Sequence, residues 1–306
     1  MRTAIISHPF CRKHKMIEDH PECPERLDAI SDRLLASGLD IAVQQKQAPK
    51  ALRAHYLLAH DEALVKQVES TIPVQGLASL DGDTWLCPES LMAIERAVGA
   101  GILAVDEILA DKLDAAFCSV RPPGHHANRT TSAGFCVFNN LAIGVKYAQS
   151  KGVKRIAIVD FDVHHGNGTQ DIFIDDDNVL FCSLFQYPFY PNTAIENNAT
   201  LINSPLPIAS DGNDLKALYN QQWLPKLTQF KPELIFISAG FDAHLEDDMA
   251  SLKFVEDDYT WLTDQLAKLS KELGCKGIIS YLEGGYSLSA LGRSAIAHVK
   301  ALVDSE

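Results

Sequence analysis

The chain lacks any apolar run approaching the roughly 18 residues that a membrane-spanning helix needs, so no membrane partner is expected. It lacks a basic excess. Lys and Arg number 27 against 40 Asp and Glu, for a net charge of −13. Nucleic-acid binding proteins need a basic face, so no nucleic-acid partner is expected, while a cationic substrate stays compatible. It also lacks paired cysteines. The seven, Cys11, Cys23, Cys87, Cys118, Cys136, Cys182 and Cys275, are scattered, odd in number and free of any C-x-x-C spacing. They read as reduced thiols of a cytoplasmic protein, several of them buried in apolar runs such as VLFCSLF. No Pro/Ser/Gly linker, repeat or low-complexity block interrupts the 306 residues, so one domain over 1–306 is expected. The opening MRTAIISHPF has too short an apolar run to act as a signal peptide.

Short β-branched runs alternate with longer segments of helical period. The runs predict strands over Thr3–Ser7, Ala115–Ser119, Arg155–Asp160, Val179–Leu184, Leu234–Ser238 and Gly277–Tyr281. The periodic segments predict helices over Glu25–Ala36, Glu89–Leu109, Asn140–Ser150, Asp214–Gln229, Glu256–Leu273 and Leu288–Val303, with Pro88 fitting a first turn and Gly274 a stop. Continuously apolar strands separated by helices imply an α/β fold: a three-layer α/β/α domain around a mostly parallel sheet. Ligands of such sheets gather beyond the carboxyl ends of the strands. Four polar segments follow predicted strands: SVRPPGHHAN, DFDVHHGNG, SAGFDAHLEDD and LEGGYSL. They are therefore expected to converge on one edge. The stretch Gln186–Gly212 reads as a long functional loop.

Within DFDVHHGNG, Asp162 and His164 are two residues apart, and alternate residues of a strand share a face. With Asp242 from SAGFDAH they form a candidate metal trio that leaves positions open for water and substrate, as catalytic zinc requires. Two carboxylates make a hard set, so Fe(II) or Co(II) also suits it. His125 and His126 follow a rigid Pro-Pro-Gly turn, and two imidazoles beside metal-activated water suit general acid and base work. Tyr286, after two glycines, is a candidate hydrogen-bond donor to an oxyanion.

These segments together resemble the histone deacetylase family of the arginase–deacetylase superfamily. The resemblance runs through HPECPERL (20–27), LDGDTWLCPES (80–90), RPPGHHA (121–127), GFCVFNN (134–140), DFDVHHGNGTQ (160–170), SAGFDAH (238–244) and LEGGYSLSALGRSAIAHV (282–299). HHGNGTQ and LEGGY are closer to the class II branch and its bacterial relatives. The resemblance implies a zinc-dependent deacylase that hydrolyses the amide of an acylated lysine-type amine, or of an acetylpolyamine or another small molecule. It implies Asp162, His164 and Asp242 as zinc ligands. His126 becomes general base and then acid, His125 its electrostatic partner, and Tyr286 the group that polarises the carbonyl. Asp160 matches the acid that orients the first histidine. Asn167 stands where class I members carry a second acid.

A structural potassium ion is implied at Asp160, Ser183 and Leu184, with carbonyls of Asp162 and His164, and a second near Phe173, Asp176 and Val179. Gly134, Phe135 and Tyr190 match the acyl tunnel, and Arg26 an internal product channel. Met249 stands where a polyamine-selective member has a glutamate, and Leu86 where some members grip the substrate backbone with an aspartate.

Dinuclear ureohydrolases share the superfamily, but Gly166 and Gly240 stand where those enzymes need further ligands. A non-catalytic reader of acylated amines would have no use for the full set of catalytic residues. Cys11, His14, His20 and Cys23 mimic a structural zinc set, but two of them belong to the family's HPECPER stretch, which makes them a rim loop.

Overall fold

The computed structural model describes residues 1–193 and 197–305. Its strands are β1 (Thr3–Ser7), β2 (Gln44–Gln47), β3 (Ala78–Ser79), β4 (Trp85–Leu86), β5 (Ala115–Cys118), β6 (Ile156–Asp160), β7 (Val179–Gln186), β8 (Leu201–Leu206), β9 (Leu234–Ala239) and β10 (Ile278–Leu282). The helices are α1 (Glu25–Ser37), α2 (Arg53–Tyr56), α3 (Glu62–Thr71), α4 (Ser90–Leu109), α5 (Asn140–Ser150), α6 (Asn167–Phe173), α7 (Gly212–Leu218), α8 (Leu224–Phe230), α9 (Glu256–Glu272) and α10 (Leu288–Asp304).

Eight strands form one sheet in the order β2-β1-β5-β10-β9-β6-β7-β8, and every pairing in it is parallel. β5, β6, β7 and β9 are buried along their whole length, as strands covered on both faces must be. Helices α1, α9 and α10 pack together, as do α4 and α5, and the two groups flank the sheet. Among the described residues no helix is long and apolar enough to cross a membrane.

The structure departs from the sequence reading in four places. The polar edge strand β2 carries no apolar pattern. The stretch Gln186–Gly212 contains β8, disguised by Pro205; residues 194–196 of it lie outside the described residues. As an edge strand, β8 tolerates a residue that cannot donate to a ladder. The expected helix Asp214–Gln229 is α7 and α8 joined by a π turn over Tyr219–Trp223. Pro225 lacks the N–H that regular helical bonding needs there. Pro88 lies two residues before α4 rather than in its first turn.

The order of the central strands positions the site. β5, β10, β9 and β6 are successive neighbours in the sheet, and each of the four polar segments follows one of them. The tandem histidines, the Tyr286 loop, the Asp242 loop and the Asp162 turn therefore meet at one edge.

Candidate metal centre and active site

Asp162 and His164 do not lie on a strand, as the alternation argument expected. β6 ends at Asp160, and the next residues form a bent turn. The turn itself brings the pair together: His164 N donates to Asp162 Oδ1 at 2.8 Å, while Asp162 N donates to Asp160 Oδ1 at 3.1 Å. Asp242 arrives from the loop after β9, its Oδ1 accepting from Val163 N at 3.0 Å. Gly284, after β10, donates its N–H to Asp162 Oδ2 at 2.8 Å. A Cβ at Gly284 would overlap Asp242 Oδ2, which accounts for a glycine in this position of LEGGY.

Asp162, His164 and Asp242 are all buried, and each offers a donor atom within 4.8 Å of the others. His164 Nδ1 lies 3.1 Å from Asp162 Oδ1 and 3.2 Å from Asp242 Oδ2. Two donors each about 2.0 Å from a tetrahedral ion lie about 3.3 Å apart, so these spacings fit one small cation. Asp242 Oδ2 has no hydrogen-bond partner among the described residues; a buried anionic oxygen left so is costly, and a cation would satisfy it. The chemistry of the set suits zinc and also Fe(II) or Co(II).

Electrostatics agree with a cation position. Burial disfavours charge on His164, yet the Asp162 and Asp242 carboxylates outweigh it and raise the imidazole to about 9. Burial and the Asp162 charge push Asp242 up to about 6. A bound cation takes the place of the proton that otherwise neutralises this pair.

The tandem histidines are held by different partners. His125 Nδ1 lies 3.1 Å from Asp160 Oδ2, and His126 Nδ1 lies 2.7 Å from Asn167 Oδ1 at the start of α6. The two rings are 4.0 Å apart. Burial opposes charge on both. For His125 the carboxylates of Asp162 and Asp160 win and raise it to about 10. For His126 the neighbouring charges of His125 and His164 add to burial and push it well down. His125 is thus pushed towards its charged form and His126 towards its neutral one, a separation of the kind that divides acid and base roles between paired groups.

A cavity of about 190 Å³ opens onto this cluster. Its walls include His126 and His164, with Gly134, Phe135, Tyr190, Met249 and Tyr286, all expected there from the sequence. The cavity also holds two residues that the sequence reading left unassigned, Asp83 and Phe189. Phe189 stacks on His164 with centroids 5.3 Å apart; a lone Phe between prolines carries no sequence signal. Asp83 lies within LDGDTW, where a carboxylate in a turn carries no signal of a site. Gly134 has φ +54, and a Cβ there would crowd the His126 ring.

The Tyr286 loop is clamped from two sides. Asp247 Oδ2 accepts from Tyr286 N at 2.6 Å and from Ser287 N at 2.9 Å. Arg26, fully buried, donates to the carbonyls of Gly285 and Glu283 and lies under the Tyr286 ring, 5.0 Å from its centroid. Glu22 joins Arg26 to Arg121. Burial, then Asp242, raises the Tyr286 hydroxyl well above its ordinary value, so it remains a donor.

Other expected residues fall elsewhere. In the sheet register Asp160 stands beside Ser183, whose Oγ is 3.5 Å from Leu184 O. Around Phe173, Asp176 and Val179, the carbonyls of Phe173 and Asp176 accept from Asp176 N and Val179 N, and Lys146 Nζ is 2.7 Å from Asp176. Cys11, His14, His20 and Cys23 form no metal-binding group: His14 Nδ1 pairs with Ser90 Oγ at 2.8 Å, and His20 packs against Phe135 at 4.6 Å.

Comparison with known proteins accords with this geometry. The sequence model described as "Histone deacetylase domain" matches residues 20–302. The uncharacterized protein slr0245 of Synechocystis sp. is 37% identical over 99% of this chain and 100% of its own length. Type-2 histone deacetylase 2 of Dictyostelium discoideum is 35% identical, and this chain spans only 21% of it; for the human polyamine deacetylase HDAC10 the figures are 34% and 48%. The crystal structure of the HDA15 HD domain superposes with a TM-score of 0.92 at 31% identity, covering 98% of this chain and 88% of that one. The chain belongs to the histone deacetylase family.

Proposed function

We propose that residues 1–306 act as one catalytic domain of a zinc-dependent deacylase, hydrolysing the amide of an acetylated or otherwise acylated lysine-type amine to a carboxylate and a free amine. The carrying observation is the convergence of the Asp162, His164 and Asp242 donors within 4.8 Å beside a cavity lined by His126 and Tyr286. Asp162, His164 and Asp242 would hold the ion, which supplies a Lewis acid and acidifies water when bound. His126, neutral, takes a proton from the attacking water and later delivers it to the leaving nitrogen. Asn167 fixes its tautomer by accepting from Nδ1–H, which turns Nε2 to the chemistry. His125, cationic and anchored on Asp160, stabilises the developing negative charge. The Tyr286 hydroxyl donates to the former carbonyl oxygen. Gly134, Phe135, Phe189, Tyr190 and Met249 enclose the acyl chain.

A potassium ion at Asp160, Ser183 and Leu184 belongs to the same proposal as a structural element, as does a cytoplasmic location, which the seven free cysteines support. A second reading, hydrolysis of acetylpolyamines or another small amide, is favoured by Asp83. This carboxylate lines the cavity and makes no salt bridge among the described residues, so it suits a substrate with a free ammonium beyond its amide. Equimolar release of acetate and amine from an acetyl-lysine reporter, abolished by a chelator and restored by zinc, is the expected result; no release from acetyl-lysine or acetylpolyamine substrates overturns the proposal.

A further inference from the structure

Glu283 is fully buried directly after β10, and the chemistry proposed above does not use it. Its Oε2 accepts from the backbone N–H of Gly124 at 2.7 Å and of His125 at 3.1 Å. Its Oε1 has no hydrogen-bond partner among the described residues. The two amides belong to the turn after β5 that carries the histidine pair. The next residues of its own chain are Gly284, bonded to Asp162, and Tyr286. β5 and β10 are neighbours in the sheet. One side chain therefore ties the backbone of the histidine turn to the root of the tyrosine loop.

A buried carboxylate with an idle oxygen is an expensive way to fill space. Two convergent N–H donors explain the oxygen that is used. The reach of a Glu side chain, one methylene longer than Asp, sets where the Gly124–His125 peptide sits.

We propose that Glu283 is a positioning residue, which fixes the His125 backbone through a single acceptor oxygen and thereby sets the approach of the His126 imidazole to the scissile amide. It touches no reacting atom, and its contribution rests on the deacylase reading given above. The acceptor and its reach carry this effect, because the second oxygen has no hydrogen-bond partner among the described residues. Glutamine keeps both, and aspartate keeps the carboxyl group but loses the reach.

The test compares Glu283→Gln with Glu283→Asp in the zinc-loaded full chain. The Gln variant keeps most of kcat. The Asp variant loses about 10- to 100-fold in kcat, the scale of a misplacement near 1 Å, with KM and metal content unchanged. The Gly124 and His125 amide resonances move further in the Asp variant than in the Gln variant. Loss of kcat in the Gln variant, or full kcat in the Asp variant, overturns the proposal. Should the wild-type chain hydrolyse no amide, the deacylase reading falls by itself, and the amide resonances still decide the positioning claim: unmoved resonances in the Asp variant contradict it.

Discussion

His126 Nδ1 lies 2.7 Å from Asn167 Oδ1, so an amide and not a carboxylate orients the neutral imidazole. An amide acceptor fixes the ring without favouring its charged form. Asn167→Asp adds a negative charge at hydrogen-bond distance, which raises the His126 pKa. The proposed base must be neutral, so the acid limb of kcat/KM moves to higher pH. A pH–rate profile measures this, and an unmoved acid limb removes His126 from the role of base.

The Tyr286 hydroxyl stays protonated because burial and the nearby Asp242 charge raise it. Removing one oxyanion donor typically costs about 10²–10³ in rate. Tyr286→Phe is therefore expected to lose that much kcat while binding a full equivalent of metal. Steady-state kinetics with elemental analysis checks it, and near-normal turnover contradicts it.

Asp83 is raised to about 6, by partial burial and then by Asp81, and it is ionised above that pH. Asp83→Asn is expected to raise KM about 3- to 10-fold for acylated amines that carry a free ammonium near the tunnel mouth, and to leave neutral acyl amides unchanged. This matches the roughly 1 kcal/mol of an exposed ion pair. A preference of the wild-type chain for cationic substrates is expected to fade as pH falls through about 6. Equal KM changes for both substrate classes would sink the role of Asp83.

Glu22 is fully buried between Arg121 and Arg26. Burial alone would raise its carboxyl, but Arg121 and then Arg26 outweigh it and bring it down to about 2, from an ordinary 4.5. A depressed carboxyl contributes stability that is fully present above the ordinary value and is lost as pH falls through the folded one. Unfolding free energy is thus expected to decline between pH 4.5 and about 2. Glu22→Gln leaves two buried guanidinium charges without their carboxylate, at a cost of about 3–5 kcal/mol at neutral pH. Urea denaturation across pH measures both, and a variant as stable as wild type at neutral pH contradicts the pairing.

The legible parts of this fold are those whose signal is local. β1, β5, β6, β9 and β10 are apolar runs that must be buried, and the polar segments after them reveal the sheet edge where ligands gather. β2 and β8 were illegible because edge strands need no apolar pattern and accept Pro205. The candidate metal trio was legible from residue type and spacing, although a turn and not a strand brings Asp162 to His164. Phe189, Asp83 and Glu283 were not legible as site residues, since their roles come from what lies across from them in space.

The central claim is a single cation held by Asp162, His164 and Asp242. In the metal-free protein His164 is raised to about 9 and so holds a proton at neutral pH, which a metal must displace. Calorimetric titration of zinc into chelator-stripped protein near pH 7.5, in buffers of different ionisation enthalpy, with acetate release followed in parallel, tests it most directly. The account predicts one equivalent bound, a proton released per ion, turnover that saturates at the same point, and none of these in Asp242→Ala. Full turnover in the stripped protein, or an unaltered stoichiometric site in Asp242→Ala, would contradict it.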